Sequence, residues 1–245
     1  MKKILIFIGS RKEKSSNTYA FIHKIILSIQ SQQSVEVEYI FPQTYYFSGV
    51  DGSDYMFRYA KDNQNDEFSI IKSKILKADF LILASPVYAH AVSGDVKNLI
   101  DRLSYWAHII RLAGKGSAVF STNMSNGHNS VIDYLEKVLT SFGSYVVAKY
   151  NISTHTPPEL NNQIYMDAVS KIMGQQIMTC LSEGVVVLEQ HEQLFKSLKE
   201  TMLFYKKNCI NTGEWQFWDR HKLFECKDFT EVIDQMKRVN DFEEG

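Results

Sequence analysis

The chain has 245 residues, with 27 basic and 28 acidic side chains and a formal net charge of −1. That length suits one large domain, or a domain with an appendage, and can bury a proper core. The scattered lysines and arginines form no stripe that could track a nucleic-acid backbone, and the three cysteines, Cys180, Cys209 and Cys226, are too far apart for a zinc site or a disulfide framework.

The first apolar run, Ile4-Leu5-Ile6-Phe7-Ile8, is shorter than the ~7–15 residues of a signal peptide's apolar region. No stretch approaches the ~20 apolar residues of a membrane span. The expectation is a soluble, cytoplasmic protein with reduced thiols, no membrane contact and no nucleic-acid partner.

Residues 3–9 read as strand one, and 17–31 as helix one, with Tyr19, Ile22, Ile25, Ile26 and Ile29 near a 3.6-residue period. Val35 to Ile40 alternates strictly and reads as strand two. Helix two is expected over 67–77, strand three over Phe80 to Ala84, and helix three over 93–107. Ser117 to Ser121 reads as strand four, 129–142 as helix four and 144–150 as strand five. Strands that alternate with helices imply a parallel sheet covered on both faces.

Two regions break this rhythm. Residues 41–66 form a long insertion carrying Tyr45, Tyr46, Phe47, Tyr55, Phe57 and Tyr59. It could wall a planar ligand, dock on a second subunit, or pack on its own aromatics. Residues 151–245 read as a helical extension of the same domain as 1–150. It has helices over 158–182 and 191–208, an irregular aromatic stretch from Gly213 to Phe224, and a short helix around 229–239. Its expected job is dimerisation or covering a sheet edge. The Trp215 and Trp218 pair is expected to serve packing or a dimer contact.

In a doubly wound sheet, ligands sit outside the carboxyl ends of the strands. Three polar loops leave those ends: 9–18, 85–94 and 121–129. The first, Gly9-Ser10-Arg11-Lys12-Glu13-Lys14-Ser15-Ser16-Asn17-Thr18, joins a buried strand to a helix start. Free backbone amides and the positive helix end make such a turn an anion site. The plainer reading is a helix start capped by Ser16 or Asn17. Gly9 stands alone, so neither GxGxxG nor GxxxxGK[ST] is present. A terminal monophosphate ester fits better than a dinucleotide or a hydrolysed nucleoside triphosphate. In the second loop Pro86 fixes the backbone, Tyr88 offers a flat face and Ser93 can cap helix three. His90 and His128 are loop histidines able to donate a proton or simply face solvent. Asp101 and Arg102, adjacent on helix three, could each orient a loop or face solvent.

Three segments together, "GSRKEKSSNT", "ADFLILASPVYAHAVSGDVKNLIDRL" and "GKGSAVFSTNMSNGH", resemble the NAD(P)H-dependent FMN reductases among the flavodoxin-like flavoproteins. The resemblance spans about residues 1–150 and is most specific in the second segment. It implies an α/β, doubly wound, five-stranded parallel sheet of order 2-1-3-4-5 with a C-terminal helical extension. It implies noncovalent FMN, with NADPH or NADH as electron donor. The phosphate would meet Ser10, Ser16, Asn17 and Thr18, with Arg11 nearby. The ribityl chain and ring would lie along Pro86, Val87 and Tyr88. Ser121, Thr122, Asn123, Gly127 and His128 would meet the other edge of the ring. A ping-pong hydride transfer to a small acceptor such as a quinone or free flavin is expected, with no catalytic nucleophile and no metal. A homodimer is also expected. A pathway-dedicated reductase of a conjugated double bond and a non-enzymatic electron carrier are the competing readings. Iron–sulfur members of this group carry cysteines just after strand two, whereas 41–66 has none, so a cluster there is not expected.

Overall fold

The computed structural model describes residues 1–62 and 64–243. The side chains of His128 and of 241–243 lie outside the description. Five parallel strands form one sheet in the order β2-β1-β3-β4-β5: β1 (Lys2–Ile8), β2 (Val35–Ile40), β3 (Phe80–Pro86), β4 (Gly116–Asn123) and β5 (Tyr145–Ser153). The central strands are apolar on both faces because helices cover both sides. The helices are α1 (Asn17–Gln30), α2 (Tyr55–Tyr59), α3 (Phe68–Lys77), α4 (Gly94–Arg102), α5 (Trp106–Ile109), α6 (His128–Ser141), α7 (Gln163–Glu183), α8 (Glu189–Lys207), α9 (Gly213–Arg220) and α10 (Phe229–Glu243).

Strand alternation divides the core in two. Ile4, Ile6, Ile82 and Phe120 face α1 and α7, meeting Phe21, Ile25, Met173 and Ile177. Leu5, Phe7, Leu83 and Val119 face the other way, toward α3 to α6 and, beyond them, α8 to α10. That second face is two helical layers deep. Trp218 of α9, with no exposed surface, donates from its indole to the His108 carbonyl at 2.8 Å and stacks on Phe195 of α8. It is therefore an intramolecular anchor.

Strand β2 is a rim strand. Its Glu36 and Glu38 pair with Lys3 at 3.1 and 2.8 Å, and Glu38 also with Lys74 of α3 at 2.6 Å. The alternation Val35-Glu36-Val37-Glu38 thus places a row of neutralised charges beside the sheet's open edge.

The structure departs from the sequence reading in several places. The aromatic stretch after Gly213 is helix α9 rather than irregular chain, because Phe217 and Trp218 turn inward from one helical face. The third crossover helix stops at Arg102 instead of 107, and the single turn α5 follows before Ile110 adopts a left-handed φ of 50°. The insertion contains the short helix α2.

Arg102 explains how that insertion is held. Its side chain has no exposed surface. Nε and Nη2 donate to Asp62 at 3.1 and 2.8 Å. Nη1 and Nη2 donate to Asp66 at 2.8 and 3.1 Å, and Nη1 also reaches the Ser48 carbonyl and Gln64. The guanidinium lies 4.4 Å from the Phe68 ring centre. Burial alone would push the Asp66 carboxyl up, but Arg102 and the amides of Ser48 and Phe68 together outweigh it and hold Asp66 below the usual carboxylate range. Asp101 instead faces outward and takes Lys97 at 2.5 Å.

Removing one partner of a buried ion network strands the others. Arg102→Met is expected to destabilise the fold by about 3–5 kcal/mol, measured by urea unfolding. A second prediction concerns α5 and α9, joined by the half-exposed His108 and the buried Glu214. The bond to Glu214 raises the His108 pKa despite partial burial. Its stabilisation is therefore complete below the ordinary histidine pKa of about 6.5 and is lost as pH rises through the raised folded value. Melting curves of wild type and His108→Gln should differ most near pH 6 and converge by about pH 9.

Candidate functional site

At the carboxyl end of β1, Gly9 sits against the start of α4. A Cβ there would lie 2.1 Å from Val96 Cγ2 and 2.6 Å from Ser93 Oγ, so only glycine lets the first loop approach this closely. The Gly9 amide donates to the Ala84 carbonyl at 2.8 Å. A 3-10 turn over Glu13–Ser15 then leads into Ser16, whose hydroxyl caps α1 by accepting from the Tyr19 amide at 3.1 Å. Among the described residues no acceptor reaches the amides of Asn17 and Thr18. Both point out of the first turn of a 14-residue helix, at its positive end.

The second loop makes a tight turn. Tyr88 and Ala91 exchange backbone hydrogen bonds at 3.0 and 2.9 Å, and Ala89 and His90 between them have φ of 49° and 63°. Two successive non-glycine residues in the left-handed region are strained. The turn is braced by Ser130, which donates to the His90 carbonyl at 2.6 Å, and by Gly127 (φ 81°), packed against Val87 and His90. Tyr88 is left 57% exposed at the tip. Below it, buried Ser85 accepts from the Ser93 amide at 2.9 Å, and Ser93 caps α4.

The three loops converge. Thr18 and Thr122 share a hydroxyl bond of 2.7 Å that joins the first loop to the third. The Val87 amide donates to the Thr122 carbonyl at 2.8 Å and joins the second to the third. Ser10, Ser16, Thr18 and Thr122 are buried in this seam, while Asn17 is exposed beside it. Arg11 is turned away and gripped by Asp95, with Nε to Oδ2 at 3.0 Å and Nη2 to Oδ1 at 2.8 Å. That grip ties the first loop to α4.

Ser121 and Asn123 are at the right edge, but their side chains serve a network. Ser121 donates to Asn151 at 2.7 Å, Asn151 donates to Asn123 at 3.0 Å, and Asn123 donates to the Asn126 carbonyl at 3.0 Å. Asn151 lies one residue beyond the strand that the sequence pattern predicts, over 144–150, whereas β5 runs on to Ser153. Gly127 precedes α6 as expected, and the side chain of His128 lies outside the described residues.

The donor set suits a phosphate ester with a flat ring. Two unfilled amides sit at a helix N-terminus with short hydroxyls beside them, a side-chain-free approach at Gly9 keeps the turn tight, and an exposed aromatic stands at the neighbouring loop tip. A 2-1-3-4-5 parallel sheet with this loop arrangement at its carboxyl edge is the flavodoxin-like fold, and the residues fit FMN.

Comparison with known proteins makes the assignment sharper. The model of the NADPH-dependent FMN reductase family matches residues 2–157. An iron–sulfur flavoprotein of Archaeoglobus fulgidus is 34% identical over 159 residues, covering 63% of this chain and 70% of that protein. Among solved structures, RosB with bound 8-demethyl-8-formylriboflavin-5'-phosphate superposes with a TM-score of 0.59 at 17% identity, over 73% of this chain and 80% of that one. The apo form of the NADH:FMN oxidoreductase EMOB gives 0.54 at 21% identity, over 78% and 94%. An azoreductase of Bacillus anthracis str. Sterne gives 0.55 at 13%, over 71% and 100%. At these identities the structures speak for the fold. The chain belongs to the NADPH-dependent FMN reductase family, oxidoreductases that use FMN with NAD(P)H as donor.

Gly9→Ala should force β1 and α4 apart and cost about 1–3 kcal/mol of stability. It should also weaken FMN retention, read together by melting and by the flavin fluorescence released on dilution.

Proposed function

We propose that this protein passes electrons from NAD(P)H through FMN to a small-molecule acceptor, such as a quinone or free flavin, in a ping-pong cycle. The observation that carries the site assignment is the pair of unfilled amides at Asn17 and Thr18, set among Ser10, Ser16 and Thr18. In this reading those groups hold the FMN phosphate, and Arg11, its charge matched by Asp95, stands nearby and steadies the loop against α4. Pro86, Val87 and Tyr88 carry the ring, with the strained Ala89-His90 turn setting their height. Ser121, Thr122, Asn123, Gly127 and His128 border its other edge, and Asn151 keeps two of them in register. When bound, FMN supplies the hydride-accepting and electron-returning chemistry. The chain's own contribution is to bind, orient and leave one approach open, so no residue is assigned as a nucleophile.

Residues 1–150 serve in this reading as the FMN-binding core and 151–245 as a helical extension of the same domain. The working form is a cytoplasmic homodimer. Among the described residues no helix is long and apolar enough to cross a membrane.

The test is spectroscopic. Purified protein incubated with FMN should show visible flavin bands that bleach on anaerobic addition of NADPH or NADH. With a quinone acceptor, initial rates should give parallel double-reciprocal lines. Flavin bands that stay unbleached by either nicotinamide would overturn the proposed reaction, and failure to take up FMN would overturn the site. Tyr88→Ala should lower FMN affinity by about tenfold, in line with the loss of ~1 kcal/mol or more of aromatic stacking.

A further inference from the structure

We propose that the cavity enclosed by α2, α3, α5 and α9 is a second binding site, one for an organic anion that joins an apolar body to a phosphate or carboxylate head. The cavity has a volume of about 430 Å³, which suits a small molecule. None of its lining residues belongs to the three loops of the FMN site. Lys77, on its rim, ends α3 just before the start of β3, so the cavity lies toward the opposite end of the sheet from those loops.

Its charge is one-sided. Lys61, Lys72, Lys77 and Arg220 all line it, and no described lining residue is acidic. Elsewhere lysines and arginines commonly reach a carboxylate, but Lys61, Lys77 and Arg220 have no ion-pair partner among the described residues. Lys72 is a special case. Its side chain is only 18% exposed, and its nearest carboxylate is Asp62 at 3.8 Å. Asp62 already accepts two closer bonds from Arg102. Burial, Arg102 and Lys61 together press the Lys72 pKa down against the partial help of Asp62. An arriving anion would supply the charge that Asp62 cannot.

The walls are apolar. Trp106, Ile109 and Phe217 form the inner side, with Leu76 and Tyr105 adjacent. Trp106 is 1% exposed and Phe217 8%, so they are fixed surfaces rather than loose covers. Gly213 lies so close to the Tyr59 backbone that a Cβ would fall 2.3 Å from its carbonyl carbon. That contact closes the insertion onto α9 and gives the cavity its rim. A bare inorganic anion would satisfy the cations but leave this apolar wall uncovered.

Isothermal titration of the FMN-loaded protein with phenyl phosphate tests the proposal, with inorganic phosphate as the comparison. Saturable one-site binding is expected, at least about tenfold tighter than inorganic phosphate, with the flavin spectrum unchanged. Lys72→Met and Arg220→Gln should each weaken it by about tenfold, the loss of one charge-assisted hydrogen bond. Arg220 is exposed and has no ion-pair partner among the described residues, so its variant keeps the fold and isolates the charge. Absence of saturable binding, equal affinity for inorganic phosphate, unchanged affinity in Arg220→Gln, or displacement of FMN would each overturn the assignment. Because the readout is binding heat, it is independent of whether NAD(P)H reduces the flavin.

Discussion

A guanidinium with no exposed surface must be matched by charge where it sits, because the cost of burying it alone exceeds what the fold could tolerate. Arg102 is matched from a single direction. Asp62, Gln64, Asp66 and the Ser48 carbonyl all come from the insertion after β2. A segment of chain with little regular structure is thereby fixed against α4. From there its earlier part reaches the first loop, where Gln43 donates to the Arg11 carbonyl at 2.6 Å. Its later part reaches α9 through Tyr59 and Gly213. The same commitment of Asp62 to Arg102 leaves Lys72 short of a counter-charge. One buried cation thus holds a segment that touches the first loop at one end of the sheet and lines the cavity beside α9 toward the other.

The insertion is ordered without cysteine. The sequence has no cysteine between 41 and 66, and Cys180, Cys209 and Cys226 all lie in the C-terminal helical region. Cys180 and Cys226 are buried, and burial pushes both thiols up in pKa, Cys180 to about 11. They behave as apolar filling rather than as thiolates awaiting a metal. Where this chain needs order after β2, it uses an ion network and aromatic packing such as Phe47 on Phe68.

Much of this was legible in the residues. β2 falls where its strict alternation places it, from Val35 to Ile40, because one residue in two faces the core. The strand order followed from a resemblance rather than from periodicity, and the observed pairing agrees with it. The loops could be located because glycine, hydroxyls and proline have local backbone consequences. What stayed hidden was long-range. Arg102 meets partners 36 to 54 residues away, and nothing beside it in sequence says whether it or Asp101 turns inward. Arg11, expected near a phosphate, answers to Asp95, 84 residues on. Helix α9 was obscured because a dense aromatic run blurs the contrast between faces on which helical periodicity depends.

The rim strand β2 has a consequence for how copies of this chain can meet. An unpaired edge of a parallel sheet is a template for adding further strands, and proteins guard such edges with charge. Here the charges of Glu36 and Glu38 are tied inward to Lys3 of β1 and Lys74 of α3, so they cover one face of the sheet rather than its outer rim. Self-association that leaves β2 undisturbed must use the β5 edge or helical and loop surfaces, and a two-fold symmetric contact there forms closed pairs rather than open-ended fibres.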